Sequence, residues 1–202
     1  MTTTDFRSAI VDYLRQQARP VDKFSHQARL HALTRQLGAG QIYDDDVVFA
    51  AAWMHDLGVF IGHRPEDLTA LARWDSVAYA IERVPALLPD LGFPPAKIPA
   101  VVEVIRTHLP AGNPATLEGL LVRDADILEQ LGAAGILRTV SKVGRDTRFQ
   151  VFPDALRALR KNLAVLPGQL RLPAARRLAE PRVLALKTFL AAAAAEGCLG
   201  TV

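Results

Sequence analysis

An all-α fold is predicted by three features of the 202-residue chain. Half of the residues are hydrophobic with few aromatics, apolar positions recur at helical spacing, and no stretch alternates in the manner of a strand. Alanine, leucine and arginine are abundant, a composition for packed helices that argues against disorder. The length suits one domain with a sizeable core.

The elements follow in order. Asp5 to Arg19 reads as a first helix closed by Pro20. Asp22 is placed to cap a second that runs to Leu37, with Gly38 and Gly40 beyond its end. Asp44-Asp45-Asp46 puts negative charge where a third helix begins. That helix carries His55-Asp56 inside an apolar run from Val47 to Ile61 and is expected to end near Gly58. Gly62 to Asp67 reads as a polar loop, and Leu68 to Leu88 as a helix interrupted at Pro85. Asp90 to Pro95 forms a turn, and Ala96 to Leu109 a helix stopped by Pro110. Thr116 to Leu131 is helical. A further helical stretch follows Gly132 and Gly135, then Asp154 to Leu166, and a last helix covers about Ala174 to Ala195.

Cys198 is the single cysteine, so neither an internal disulfide framework nor a thiolate zinc site is available. Met1 to Asp5 has no basic region ahead of an apolar stretch, and no apolar segment spans a membrane without charges or breakers. A cytoplasmic protein with no membrane partner is expected. Residues 1–137 hold 12 Lys+Arg against 17 Asp+Glu, a charge of −5, and the remainder carries +8. The basic C-terminal third reads as a solvated, arginine-rich helix surface, without a nucleic-acid reader motif or interleaved aromatics. Leu184, Leu186, Phe189 and Leu190 offer an apolar face there that packs on the core or forms a homodimer contact.

Three histidines lie on apolar stripes near helix ends. His26 precedes Leu30, Leu33 and Leu37, His55 follows Val48 and Ala51, and His108 follows Val101, Val104 and Ile105. His31 is rotated away from the stripe and is expected to face solvent. Each inward histidine is by itself an ordinary core residue. Asp56 and the Asp124-Ala125-Asp126 segment change that reading, because buried carboxylates are costly unless a cation or base meets them. Periodicity leaves open which of Asp124 and Asp126 faces inward. Nitrogen and carboxylate donors without thiolates suit Mn²⁺, Fe²⁺, Zn²⁺, Ni²⁺, Co²⁺ or Mg²⁺. Two histidines and two carboxylates that leave coordination positions open make a catalytic arrangement, in which bound water becomes a nucleophile.

His26 within Asp22-Lys23-Phe24-Ser25-His26-Gln27-Ala28-Arg29, then His55-Asp56, then Ala125-Asp126-Ile127-Leu128, resembles the H…HD…D signature of the HD-domain superfamily of metal-dependent phosphohydrolases. The resemblance covers roughly residues 20–145 of a single domain over 1–202, leaving a C-terminal helical extension over about 150–196. Phe93 to Ile98 and Leu131 to Ile136 resemble a bacterial subgroup of predicted HD hydrolases. The resemblance implies a compact helical bundle with His26, His55, Asp56 and Asp126 as metal ligands. It selects Asp126 over Asp124 and makes Asp124 a candidate for orienting a ligand histidine. It also implies that Arg29 contacts Asp56 or a phosphate, and that His63 and His108 bind a second metal or the substrate phosphate.

Val59 and Phe60 stand where alarmone hydrolases of the superfamily carry a Glu-Asp pair, which argues against that substrate and leaves the general base to Asp56, His63 or His108. The extension typical of cyclic-dinucleotide phosphodiesterases is not evident. The resulting expectation is a phosphohydrolase acting on a small phosphorylated molecule of the nucleotide kind. Asp56, His108 and Arg29 are the catalytic candidates, and Arg64, Arg73 and Arg123 further basic ones. The competing readings are a non-catalytic nucleotide- or partner-binding HD-fold protein and a di-iron oxygenase. Fold analogy does not name the substrate.

Overall fold

The computed structural model describes residues 5–198, apart from the Asp22 side chain. Among the described residues the secondary structure is helical, with isolated bridges and no strand. The helices are α1 (Phe6–Gln17), α2 (Asp22–Leu37), α3 (Asp45–Met54), α4 (Leu68–Ala72), α5 (Ser76–Asp90), α6 (Ile98–Thr107), α7 (Leu117–Glu129), α8 (Gly132–Val140), α9 (Phe152–Val165) and α10 (Pro173–Ala195). The backbone groups into two compact units, Met1–Arg123 and Asp124–Val202.

In the first unit α3 packs against α1, α2 and α6, while α5 packs against α6 and a 3-10 turn over Leu57–Val59. Every residue from Val47 to Met54 is buried, so α3 is apolar all round because it is surrounded. Phe6 sets its ring edge-on against Phe49 and Phe93, and Ile10, Leu14, Leu30, Val84 and Ile105 are fully buried. Each such side chain contributes roughly 1.5–3 kcal/mol relative to exposure. Asp44 caps α3 through the Asp46 and Val47 N–H groups, and Lys97 bridges Asp44 and Asp46 at 2.9 and 2.8 Å.

Three local expectations need correction. Asp22 is the first residue of α2, and Val21, already in helical geometry, occupies the cap position without a side-chain bond. An aspartate caps from an extended residue, and that residue is missing here. The third helix ends at Met54, with His55 at its C-cap, and Gly58 lies in the 3-10 turn that follows. Gly58 answers a steric need, since a Cβ there would lie 2.5 Å from the Ser76 carbonyl oxygen. The stretch Leu68 to Leu88 breaks at Arg73–Asp75, where Asp75 caps α5 through Val77 and Ala78, and α5 runs on through Pro85 and Pro89. The buried stripe Ala80, Val84 and Leu88 holds α5 together across the missing proline donors.

In the second unit α8, α9 and α10 pack pairwise. Leu159, Ala175 and Leu186 are fully buried, and Leu190 is nearly so, whereas Leu184 is largely exposed. The Asp124 carboxylate accepts the backbone N–H groups of Arg171 and Leu172 at 2.9 and 2.7 Å, fixing the chain where it enters α10. Arg182 donates to the Leu128 carbonyl at 2.8 Å.

Candidate metal centre

The site grows out of two helix ends and one helix face in the first unit. His26 is on the inward face of α2, 3 % exposed. His55 terminates α3, and its Nδ1 donates to the Ala52 carbonyl one turn back at 3.0 Å. That bond places the proton on Nδ1 and leaves Nε2 as the lone-pair nitrogen of the neutral ring. Asp56 follows in the turn, with its side chain about one-fifth exposed. Its Oδ2 is 3.6 Å from His26 Nε2, and its Oδ1 is 3.6 Å from His55 Nε2. The three side chains bring a ligand atom each to within 4.8 Å of one another.

His108 repeats the His55 arrangement at the end of α6. Its Nδ1 donates to the Ile105 carbonyl at 2.6 Å, and its ring lies edge-on to His55 with centroids 4.9 Å apart. Arg123, buried at the end of the unit, donates from Nε and Nη2 to the Pro110 carbonyl, two residues beyond His108. The loop that follows His108 is thereby tied to α7. Two imidazoles and a carboxylate that converge, with the His55 Nε2 directed by a helix carbonyl, fit a divalent cation in chemistry and in spacing.

Arg29 is exposed, and its Nη1 donates to Ser25 Oγ at 3.0 Å. His63 engages both ring nitrogens, Nδ1 with the Tyr79 hydroxyl at 2.9 Å and Nε2 with Gln17 Oε1 at 3.0 Å. Burial, and then the Arg83 charge, push its imidazole below the ordinary histidine range. His31 is half-buried with its ring edge on Phe49, 5.0 Å between centroids, so it does not face solvent as expected. Arg73 is exposed and Arg64 half-buried. In the second unit Asp126 is 7 % exposed, and its Oδ2 accepts from Gln130 Nε2 at 3.1 Å.

Sequence reasoning missed Trp74, whose indole N–H donates to the Gly58 carbonyl at 2.7 Å, two residues after Asp56. It missed Tyr79 and Gln17 as well. Nothing in the local pattern marks these residues, because each acts across a contact distant in sequence.

No protein-family model and no curated protein matches the chain. Solved structures do. YpgQ of Bacillus subtilis superposes with a TM-score of 0.73 at 22 % identity, covering 97 % of this chain and 97 % of its own. YpgQ in complex with ADP gives 0.67 at 22 % identity, covering 94 % and 97 %. An HD-superfamily hydrolase of Bacillus thuringiensis gives 0.66 at 21 % identity, covering 95 % of each chain. The chain therefore has the same all-α fold as these structures, an HD-superfamily hydrolase among them. Among the described residues no helix is long and apolar enough to cross a membrane.

Proposed function

We propose that the chain is a divalent-metal-dependent phosphohydrolase acting on a small phosphorylated molecule of the nucleotide class. The convergence of His26, His55 and Asp56 carries the proposal, and the ADP held by YpgQ supports the substrate class. His26 and His55 would hold the ion through Nε2, and Asp56 through a carboxylate oxygen. The resemblance of Ala125-Asp126-Ile127-Leu128 to the family signature implies Asp126 as a fourth ligand. When bound, the cation supplies Lewis-acid polarisation of a phosphoryl oxygen and a water acidic enough to ionise near neutral pH.

The chain's own groups supply the rest. Asp56 takes the proton of the attacking water as the new oxygen–phosphorus bond forms and the leaving oxygen departs. His108, its Nδ1 held by the Ile105 carbonyl and its ring edge-on to His55, would meet a substrate hydroxyl through Nε2, or a phosphoryl oxygen when the ring is protonated. Arg29, one turn after His26, offsets phosphate charge. His63 has both nitrogens engaged, which favours Asp56 and His108 for proton transfer.

The test is phosphate release from a panel of nucleoside mono-, di- and triphosphates with each of Mn²⁺, Co²⁺, Ni²⁺, Zn²⁺ and Mg²⁺, alongside His55→Ala. Metal-dependent release that disappears in the variant is the expected result. Tight metal binding with no release from any compound would favour a non-catalytic binding protein.

A further inference from the structure

The turn that presents Asp56 is anchored at three successive points by side chains and backbone from outside it. At the first point the Trp74 indole N–H holds the Gly58 carbonyl at 2.7 Å, while Gly58 lies so close to Ser76 that no side chain fits between. At the second, the Ile61 N–H donates to the Arg19 carbonyl at 3.0 Å. At the third, His63 is clamped between Tyr79 of α5 and Gln17 of α1. Tyr79 also packs against the Trp74 ring at 5.2 Å between centroids, so the first and third anchors share a wall. Anchors on both sides of Phe60, itself fully buried, leave the segment 57–63 little freedom to rotate.

We infer that His63 and Trp74 are positioning residues for the metal centre, fixing the segment that aims the Asp56 carboxylate between His26 and His55. This rests on the metal reading above and assigns His63 a role other than ligand or base. A ligand histidine needs a ring nitrogen available to the cation, and both nitrogens of His63 are already engaged at hydrogen-bond distance. Partners outside the ligand set that orient a site typically change metal affinity by about 10–100-fold when removed. Because the anchors act through backbone rather than on a ligand atom, the low end of that range applies.

The experiment is calorimetric titration of the full chain with Mn²⁺ at pH 7.5, with thermal melts in parallel. The set comprises wild type, Trp74→Phe, His63→Ala, His63→Gln and Val84→Ala. Trp74→Phe keeps the ring and loses the donor. Val84→Ala destabilises the buried face of α5 without touching the anchors. The expected result is a Kd raised about tenfold in Trp74→Phe and His63→Ala, with partial recovery in His63→Gln and a wild-type Kd in Val84→Ala at comparable loss of Tm. Unchanged affinity in Trp74→Phe and His63→Ala would overturn the positioning role and leave the metal site standing. Equal weakening in Val84→Ala would overturn it too, by tying affinity to stability alone. Complete loss of binding in His63→Ala, unrelieved by glutamine, would make His63 a ligand. No binding by wild type would bring down the metal reading itself, and this inference with it.

Discussion

Gly58→Ala places a methyl group against the first backbone atoms of α5. The new Cβ would lie 2.5 Å from the Ser76 carbonyl oxygen, 2.8 Å from Ser76 Cα and 3.0 Å from the Ser76 carbonyl carbon. All three are backbone, so no side chain can swing aside. The 3-10 turn and the start of α5 must separate by roughly 0.9 Å to reach the 3.4 Å of ordinary contact. Overpacking of this kind costs about 1–3 kcal/mol, which for a chain of this size lowers Tm by about 2–12 °C. The same movement lengthens the Trp74–Gly58 bond beyond hydrogen-bonding distance and displaces Asp56, two residues upstream, so Mn²⁺ affinity falls as well. Gly168→Ala is the matched control, since a Cβ there meets nothing within 4 Å and its backbone needs no positive φ. Thermal melts and Mn²⁺ titration of the two variants check the reasoning. Equal Tm and equal affinity in Gly58→Ala and Gly168→Ala would refute the close approach as the reason for glycine.

Asp124→Ala removes the acceptor for the Arg171 and Leu172 N–H groups and is expected to lower stability by about 2–4 kcal/mol, read by denaturant unfolding. Arg123→Met deletes the donors on the Pro110 carbonyl and frees the loop after His108, so amide exchange over residues 109–113 is expected to accelerate. His31 and His63 titrate below the usual histidine range because burial disfavours their charged forms. His31 is faced by Asp45, Arg7 and Arg35, and His63 by Tyr79, Gln17 and Arg83. The unfolded chain therefore binds protons first, so stability is full above pH ~6.5 and declines as pH falls below it. His63→Gln is expected to flatten that decline in a pH series of melts. The Asp146 carboxyl, beside Arg148, is held down at about 2, so its contribution persists above its unfolded value and is lost only in strong acid.

The candidate site is more legible in the sequence than the contacts that support it. His26, His55 and His108 could be read as inward because helical periodicity assigns a face, and the structure buries all three. Asp56 was marked by its place beside His55 in an apolar run. Asp124 and Asp126 were not separable by pattern, because α7 is buried on most sides and a stripe carries no information there. Gly58 resembles a C-cap glycine in sequence, yet α3 ends at Met54, and the constraint on Gly58 comes from Ser76, eighteen residues away. Pro85 is a parallel case, since α5 continues through it. A proline lowers helix propensity locally, but the Ala80–Val84–Leu88 stripe is buried by neighbours that sequence alone does not place. Trp74, Tyr79 and Gln17 were invisible for that reason too.

Cation binding at His26, His55 and Asp56 is the step on which the proposed activity depends. Its most direct test is Mn²⁺ titration of the purified chain beside His55→Ala and Asp56→Ala, with circular dichroism to confirm folding. The expected result is saturable binding by the wild-type chain and its loss in both folded variants. Wild-type affinity in either variant, or no saturable binding at all, would contradict the claim.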